Sequence, residues 1–273
     1  MTSVLGCWRY PVKSAAAQVV DKLPLTSDGV LGDRAWAAIA YDGTVVSAKH
    51  PRIGGRLLEV FASYDDTTGV VTVTVPGHPG RSAGDHQLDD ELTEWLGRSV
   101  KLTDVVPTKL QLHRLWPHET GMIPEWVASA HPDEEVLTDV AGAARGRFVD
   151  YGQLHLVTTG ELAKLEAEVG RPVNPVRFRP NLLVDLPEDP LPGQQLRVGE
   201  VSLTIDRPTS RCVIPSLPQA GVTGLDAEIL TQLARHHRKA VGQRGKAALF
   251  GCYANVVRSG AINRGDEVRL AAD

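Results

Sequence analysis

A chain of 273 residues is long enough for one large domain or two smaller ones that share a core. Hydrophobic residues at 42% and charged residues at 23% are the mix of a globular protein, and no apolar run reaches the length of a membrane span. A formal net charge of −4 without a dense Lys/Arg stripe excludes a general nucleic-acid binder, and three dispersed cysteines exclude a disulfide scaffold.

In chain order, Val4 to Tyr10 reads as a strand, and Ala35 to Tyr41 as another, followed by an Asp42-Gly43 hairpin turn. Leu57 to Ser63 reads similarly. The β-branched run Val70 to Val75 ends at Pro76-Gly77, as a strand ending in a turn should. Short strands with frequent turns favour a small barrel or sandwich over a βαβ array. Between 86 and 97 the period changes: Leu88, Leu92, Trp95 and Leu96 recur at helical spacing, and Gly97 is the stop. A boundary near residue 100 divides the chain into parts 1–100 and 101–273. Residues 113–148 mix Pro, His, Gly and Ala with Asp133, Glu134 and Glu135, and read as a lid or a flexible insertion.

Leu154 to Val157 is a buried-looking strand, and Thr158 with Glu161 forms a capping box for the helix that follows. Leu162, Leu165 and Val169 supply its apolar stripe, and Gly170 with Pro172 closes it. A second helix spans about Leu225 to Lys239, on the spacing of Leu225, Ile229 and Leu233. The chain closes with a strand over Phe250 to Val257 and a Gly265 turn leading to Val268 and Leu270. The N-terminus lacks the pattern of a secretory signal, which gives a cytoplasmic expectation, with a monomer as the default and no nucleic-acid or membrane partner.

Chemistry concentrates in a few short segments. Arg177-Phe178-Arg179-Pro180-Asn181 sets two guanidinium groups beside a proline bend; Arg pairs with phosphate, and Asn offers a donor and an acceptor to a heterocycle edge. An ordinary salt bridge beside a strand is the plainer reading of those arginines. In Thr209-Ser210-Arg211-Cys212, two readings stay open for Cys212. A small buried hydrophobe is the commoner fate of a lone cysteine; a thiolate favoured by a neighbouring cation is a nucleophile and a soft metal ligand. Cys7 and Cys252 sit inside apolar strands and read as core. Thr158 and Thr159 either cap a helix or join its free N–H groups in a phosphate site. Lys13-Ser14 and Gly32-Asp33-Arg34 read singly as polar turns. If Lys13, Arg34, Arg179 and Arg211 converge, they form a concentrated anion site in a net-acidic protein.

Taken in order, YPVKS (10–14), GDRAW (32–36), RFRPN (177–181) and SRC (210–212) resemble the MOSC family. The resemblance is to its form with an N-terminal β-barrel part, similar to amidoxime-reducing components and bacterial N-hydroxylated-base reductases. It runs almost end to end and is weakest over 113–148. It implies an α+β, β-barrel-rich fold: a MOSC-type β-barrel with an associated N-terminal β-rich part. It also implies a molybdenum cofactor of the molybdopterin form, contacted by Lys13, Ser14 and Arg34 from the N-terminal part. Thr158 and Thr159 would hold its phosphate or pterin, Arg179 and Asn181 would contact the pterin with Ser210 and Arg211 nearby, and Tyr253 matches a further position. Cys212 would be the sulfur ligand to molybdenum and the catalytic residue. The family motif often continues after YPVKS with a small polar stretch, whereas Ala15, Ala16 and Ala17 follow here.

The function this implies is reduction of N-hydroxylated or N-oxide compounds, with electrons from a separate ferredoxin- or flavin-type donor protein. The alternatives are a sulfur carrier, with a Cys212 persulfide supplied by a pyridoxal phosphate-dependent cysteine desulfurase, and a non-catalytic cofactor escort. His155 and Asp206 are candidates for proton delivery or for a structural role.

Overall fold

The computed structural model describes residues 2–107, 109–127, 129–140 and 146–270. Its largest sheet has nine strands. Along one path they run Val268–Leu270, Gln195–Val198, Val201–Ser210, Lys246–Arg258, Leu154–Thr158, Leu182–Val184, Val4–Arg9 and Gln18–Val20, with Arg238–Ala240 paired on the side to Lys246–Arg258. The pairings are antiparallel except between Leu154–Thr158 and Leu182–Val184. That parallel pair needs a crossover, which the helix Thr159–Val169 supplies. Among the described residues the path of pairings does not close on itself, so the fold is mixed α and β with extensive sheets. The first strand of the chain belongs to this sheet through Cys7 opposite Leu182, so the sheet holds strands from both ends of the sequence.

Alternation explains the burial. Leu196 and Val198, then Val201, Leu203 and Ile205, point to one interior with Leu154, Leu156, Leu182 and Val184. The opposite face is covered by Thr159–Val169 and Ala227–His236, which bury Leu162, Leu165, Ile229 and Leu233 against Phe178 and Phe250. The N-terminal strands Ala37–Ala40, Phe61–Tyr64, Val71–Thr74 and Val100–Thr103 pack with the helix His86–Leu96 around a separate apolar cluster. That helix is capped by Asp85, whose side chain accepts from the Gln87 N–H, and ends at Gly97 in the left-handed conformation.

Three expectations change. Leu57 to Ser63 is a 3-10 turn, Gly55–Glu59, followed by the strand Phe61–Tyr64. The turn lets the adjacent Leu57 and Leu58 enter two different clusters, which a pleated strand burying one face would not allow. Residues 113–148 include paired strands, Gln111–Leu115 against Glu135–Asp139, and the 3-10 turn Thr120–Met122; Ala128 and residues 141–145 lie outside the described residues. The second helix is shorter than its spacing suggested: Leu225 is exposed ahead of it, and Arg238–Ala240 is already a strand.

Candidate functional site

The site is built where chain reversals meet the ends of sheet strands. Four non-glycine residues among those described adopt positive φ: Ser14 (64°), Arg34 (46°), Arg179 (55°) and Asp133 (60°). Ser14, Arg34 and Arg179 all line one cavity of about 560 Å³. Left-handed backbone costs an ordinary residue about 1–2 kcal/mol, and it persists where the surroundings over-determine it. Here the surroundings are specific. The Arg34 N–H donates to the Tyr10 carbonyl at 2.6 Å, and the Arg179 N–H donates to Val176 at 2.9 Å, closing the turn Pro175–Phe178.

A fully buried polar hub holds these reversals together. Asp33 accepts from the Tyr10 N–H (2.8 Å), from Arg34 (2.6 Å) and from the Asn181 side-chain amide (3.1 Å). Asn181 also donates to the Trp8 carbonyl at 3.1 Å, while its Oδ1 accepts from the His155 N–H at 3.0 Å and from Arg34 at 3.3 Å. The Asn181 amide is therefore fully engaged, and it positions Arg34 and the strand Leu154–Thr158. Tyr10, also fully buried, lies between the Arg34 and Arg179 guanidinium groups, 4.4 and 4.3 Å from its ring centre.

The cavity is strongly cationic. Among the described residues eight Lys and Arg side chains line it, against the carboxylates of Asp33 and Asp150 alone. Burial, reinforced by the neighbouring Arg34, brings the Arg179 guanidinium down to about 10, and burial also lowers Arg211. Burial brings Lys13 down to about 8 although Asp150 opposes the shift. Desolvation works to raise Asp150, but Lys13 and Lys49 overcome it and hold that carboxyl well below its usual range. Burial, Arg211 and Arg34 push His155 well below the ordinary imidazole range, so its ring is neutral.

The sequence candidates mostly converge. Lys13, Ser14, Arg34, Arg179, Asn181, Ser210, Arg211, Cys212 and Tyr253 all line the cavity. Cys212 is partly exposed there, at the end of the strand Val201–Ser210, whereas Cys7 and Cys252 are buried. Burial pushes the Cys7 thiol up to about 12 and holds the Cys252 thiol well above its usual range, so both are inert core thiols. Gly251, at φ 71°, brings the strand Lys246–Arg258 against its neighbour: a Cβ there would lie 2.7 Å from His155 Nε2. Tyr253 follows two residues on, its ring centre 5.5 Å from that of His155.

Thr158 and Thr159 are not brought to this cavity. Thr158 is fully buried as the N-cap of Thr159–Val169; its hydroxyl accepts from the Glu161 N–H and donates to Asp189 at 2.8 Å. Thr159 donates to Asp185 at 3.0 Å. The Glu161 carboxylate turns to Lys164, so only half of the expected capping box forms. Arg177 also faces elsewhere, donating to the carbonyls of Pro215 and Leu217. Asp206 pairs with Arg207 at 2.7 Å.

Several lining residues carried no sequence signal of a site. Lys49 and Ser47 sit on a turn, and Asp150 follows Phe148-Val149. Arg114, Trp116 and Trp126 come from the segment that read as an insertion. The alternating residues Leu112, Arg114 and Val136, Thr138 could have marked paired strands, but two of the four are polar because they border the cavity.

The chain resembles known proteins along nearly its whole length. Residues 1–102 match the MOSC N-terminal beta barrel domain and residues 144–269 match the MOSC domain. The molybdenum cofactor sulfurase of Drosophila mojavensis is 27% identical over 89% of this chain, which spans 30% of that protein's length. The mitochondrial amidoxime-reducing component 1 of Homo sapiens is 24% identical over 98% of this chain and 82% of its own. The solved YUAD protein from Bacillus subtilis aligns with 98% of this chain and 94% of its own at 14% identity and a TM-score of 0.43. No described helix is long and apolar enough to cross a membrane. The chain belongs to the MOSC family, carrying the family's N-terminal domain ahead of the MOSC domain itself.

Proposed function

We propose that this chain binds a molybdenum–pterin cofactor in the cationic cavity and reduces N-hydroxylated compounds, with Cys212 as the protein's ligand to the metal. The observation that carries the proposal is that Cys212 opens onto the same cavity as Arg34, Arg179 and Arg211. The lining suits a large anion. Arg179 Nη2, Arg211 Nε and Thr209 Oγ1 are buried without a partner, and such groups cost about 1–3 kcal/mol each unless something completes them. Among the described residues no group of three His, Cys, Asp or Glu side chains could hold a bare metal ion. A metal beside Cys212 would therefore bring further ligands with it, as a pterin dithiolene does.

In this reading Lys13, Arg34, Arg179 and Arg211 hold the cofactor's anionic groups, Ser14 and Ser210 add hydroxyls, and Asn181 keeps Arg34 in place through Asp33. A molybdenum centre supplies oxygen-atom and two-electron chemistry when bound. In the overall reaction the N–O bond breaks, two electrons and two protons are taken up, and the oxygen leaves as water. The electrons come from a separate donor protein. The neutral His155 ring lies beside Tyr253, whose phenol is raised by burial and by Asp150 and so stays protonated. Trp116, Trp126, Val127 and Leu137 give the same cavity an apolar flank for an organic substrate. That flank favours a reductase over a sulfur carrier, which needs room only for a persulfide. The likeness over 82% of the amidoxime-reducing component's length agrees. We place the division between the two parts near residue 100.

The test is conversion of a simple amidoxime to its amidine by chain isolated with cofactor and reduced chemically. Amidine formation that Cys212→Ser abolishes supports the assignment. Metal-loaded, reduced chain that forms none contradicts it, and transfer of labelled persulfide sulfur from Cys212 would then favour the carrier.

A further inference from the structure

One wall of the cavity comes from the paired strands Gln111–Leu115 and Glu135–Asp139 and the stretch between them. Residues 103–143 lie between the two family matches, 1–102 and 144–269, so this wall belongs to neither matched domain. It is nonetheless fixed to both. On the N-terminal side, the Val45 N–H donates to the Gln111 carbonyl at 2.8 Å, and the Leu115 N–H to the Lys49 carbonyl at 3.0 Å. On the other side, Arg238 donates to the Gly121 carbonyl at 2.6 Å and pairs with Glu125 at 2.9 Å, whose carboxylate accepts from the Lys246 N–H at 2.7 Å. Gly121 packs so closely that a Cβ there would lie 2.6 Å from Ala234 Cβ. A wall anchored on both parts is preorganised for whatever it contacts.

Pleating puts Arg114 and Thr138 on one face as diagonal neighbours, because Arg114 stands opposite Val136 and Thr138 opposite Leu112. Trp116 continues that row, and the Arg114 guanidinium carbon lies 5.0 Å from its ring centre. Both residues line the cavity, and Trp126 adds a second indole. Lys13, Lys49, Arg34 and Arg207 on the same lining each have a carboxylate partner, whereas among the described residues none pairs with Arg114. Arg114 Nε, Trp116 Nε1 and Thr138 Oγ1 are buried without a hydrogen-bond partner. The wall therefore offers an unpaired cation and spare donors in an aromatic setting.

We infer that this wall selects the substrate: it takes an aromatic N-hydroxylated compound that carries a carboxylate, with the ring against Trp116 and Trp126 and the carboxylate paired with Arg114. This names a substrate class for the proposed reductase and rests on that proposal. The planar guanidinium matches a carboxylate through two parallel hydrogen bonds while one of its faces stays on an indole. A substrate bearing an ammonium group in that place meets a like charge and is rejected. Arg114 reads a group other than the N–O bond, so charge selection is separable from the reduction itself.

The experiment is calorimetric titration of the chain, isolated with cofactor and left oxidised so that nothing turns over, with uncharged benzamidoxime and with its meta- and para-carboxy derivatives. One of the two carboxylates is expected to bind about tenfold more tightly than benzamidoxime, the worth of one charge pair. Arg114→Gln is expected to lower that ratio about tenfold, and Arg114→Lys to keep most of it. Arg114→Met retains an unbranched stem against Trp116 and reports the same loss if Arg114→Gln does not fold. A merely structural role for Arg114 would weaken all three ligands alike and leave the ratio unchanged. No preference for either carboxylate, or a preference that survives in Arg114→Gln and Arg114→Met, overturns the inference. Loss of molybdenum and pterin from those variants also overturns it, because it places Arg114 on the cofactor. Selective binding by a chain that forms no amidine once reduced keeps the wall and removes the reductase, whereas amidine formation without selectivity does the reverse.

Discussion

Arg34 donates to Asn181 across 147 residues of sequence, Nη1 to Oδ1 at 3.3 Å, and this contact ties a left-handed turn of the N-terminal part to the start of the strand Leu182–Val184. Asn181 is wholly buried and bonded to Trp8, Asp33, His155 and Arg34. Asn181→Ala strands a carboxylate, a carbonyl and a backbone N–H, and is expected to lower stability by about 3 kcal/mol. Denaturant unfolding measures this, and a loss below about 1 kcal/mol would show that the hub repacks or hydrates.

Arg34 tests whether the reversal itself is strained. Arg34→Ala and Arg34→Gly both lose the ion pair with Asp33, but only glycine relaxes φ at 46°. The glycine variant should exceed the alanine variant in stability by about 1 kcal/mol. Equal stabilities would mean that the backbone moves out of the left-handed region once the side chain is gone.

The YPVKS, GDRAW, RFRPN and SRC segments were legible because each packs several polar residues around a chain reversal, and the structure brings one or more residues of each to one cavity. The helices at 86–96 and 159–169 were legible through local caps and spacing. Lys49 and Asp150 were not, since each is a single charged residue whose meaning lies in a partner 101 positions away in sequence. The strands Gln111–Leu115 and Glu135–Asp139 were hidden because the face they turn to the cavity carries Arg114 and Thr138 in place of an apolar row. Thr158 carried a correct cap signal, yet spacing alone could not show that its hydroxyl is spent on Asp189.

Asp189 provides a pH test. Burial, with Glu161 adding to it and the Thr158 hydroxyl opposing, raises its carboxyl from 3.8 to about 6. Between those values the folded chain holds a proton that the unfolded chain has released, so this group's contribution to stability falls as pH rises from about 4 to 6 and stays low above. Asp189→Asn removes the penalty and is expected to gain roughly 2 kcal/mol at pH 7, a gain that vanishes below about pH 4. Unfolding curves at both pH values check it; a gain equal at both would assign the effect to packing.

The most direct measurement is molybdenum and released pterin per chain, on protein produced in cells that make the cofactor, for the unaltered chain and for Cys212→Ser. Near-equal amounts of metal, pterin and protein, with metal lost from the correctly folded variant, is the predicted result. A chain that carries neither from a competent host, or a Cys212→Ser variant that keeps its full complement of molybdenum, would contradict the assignment of Cys212 as the protein's ligand in this cavity.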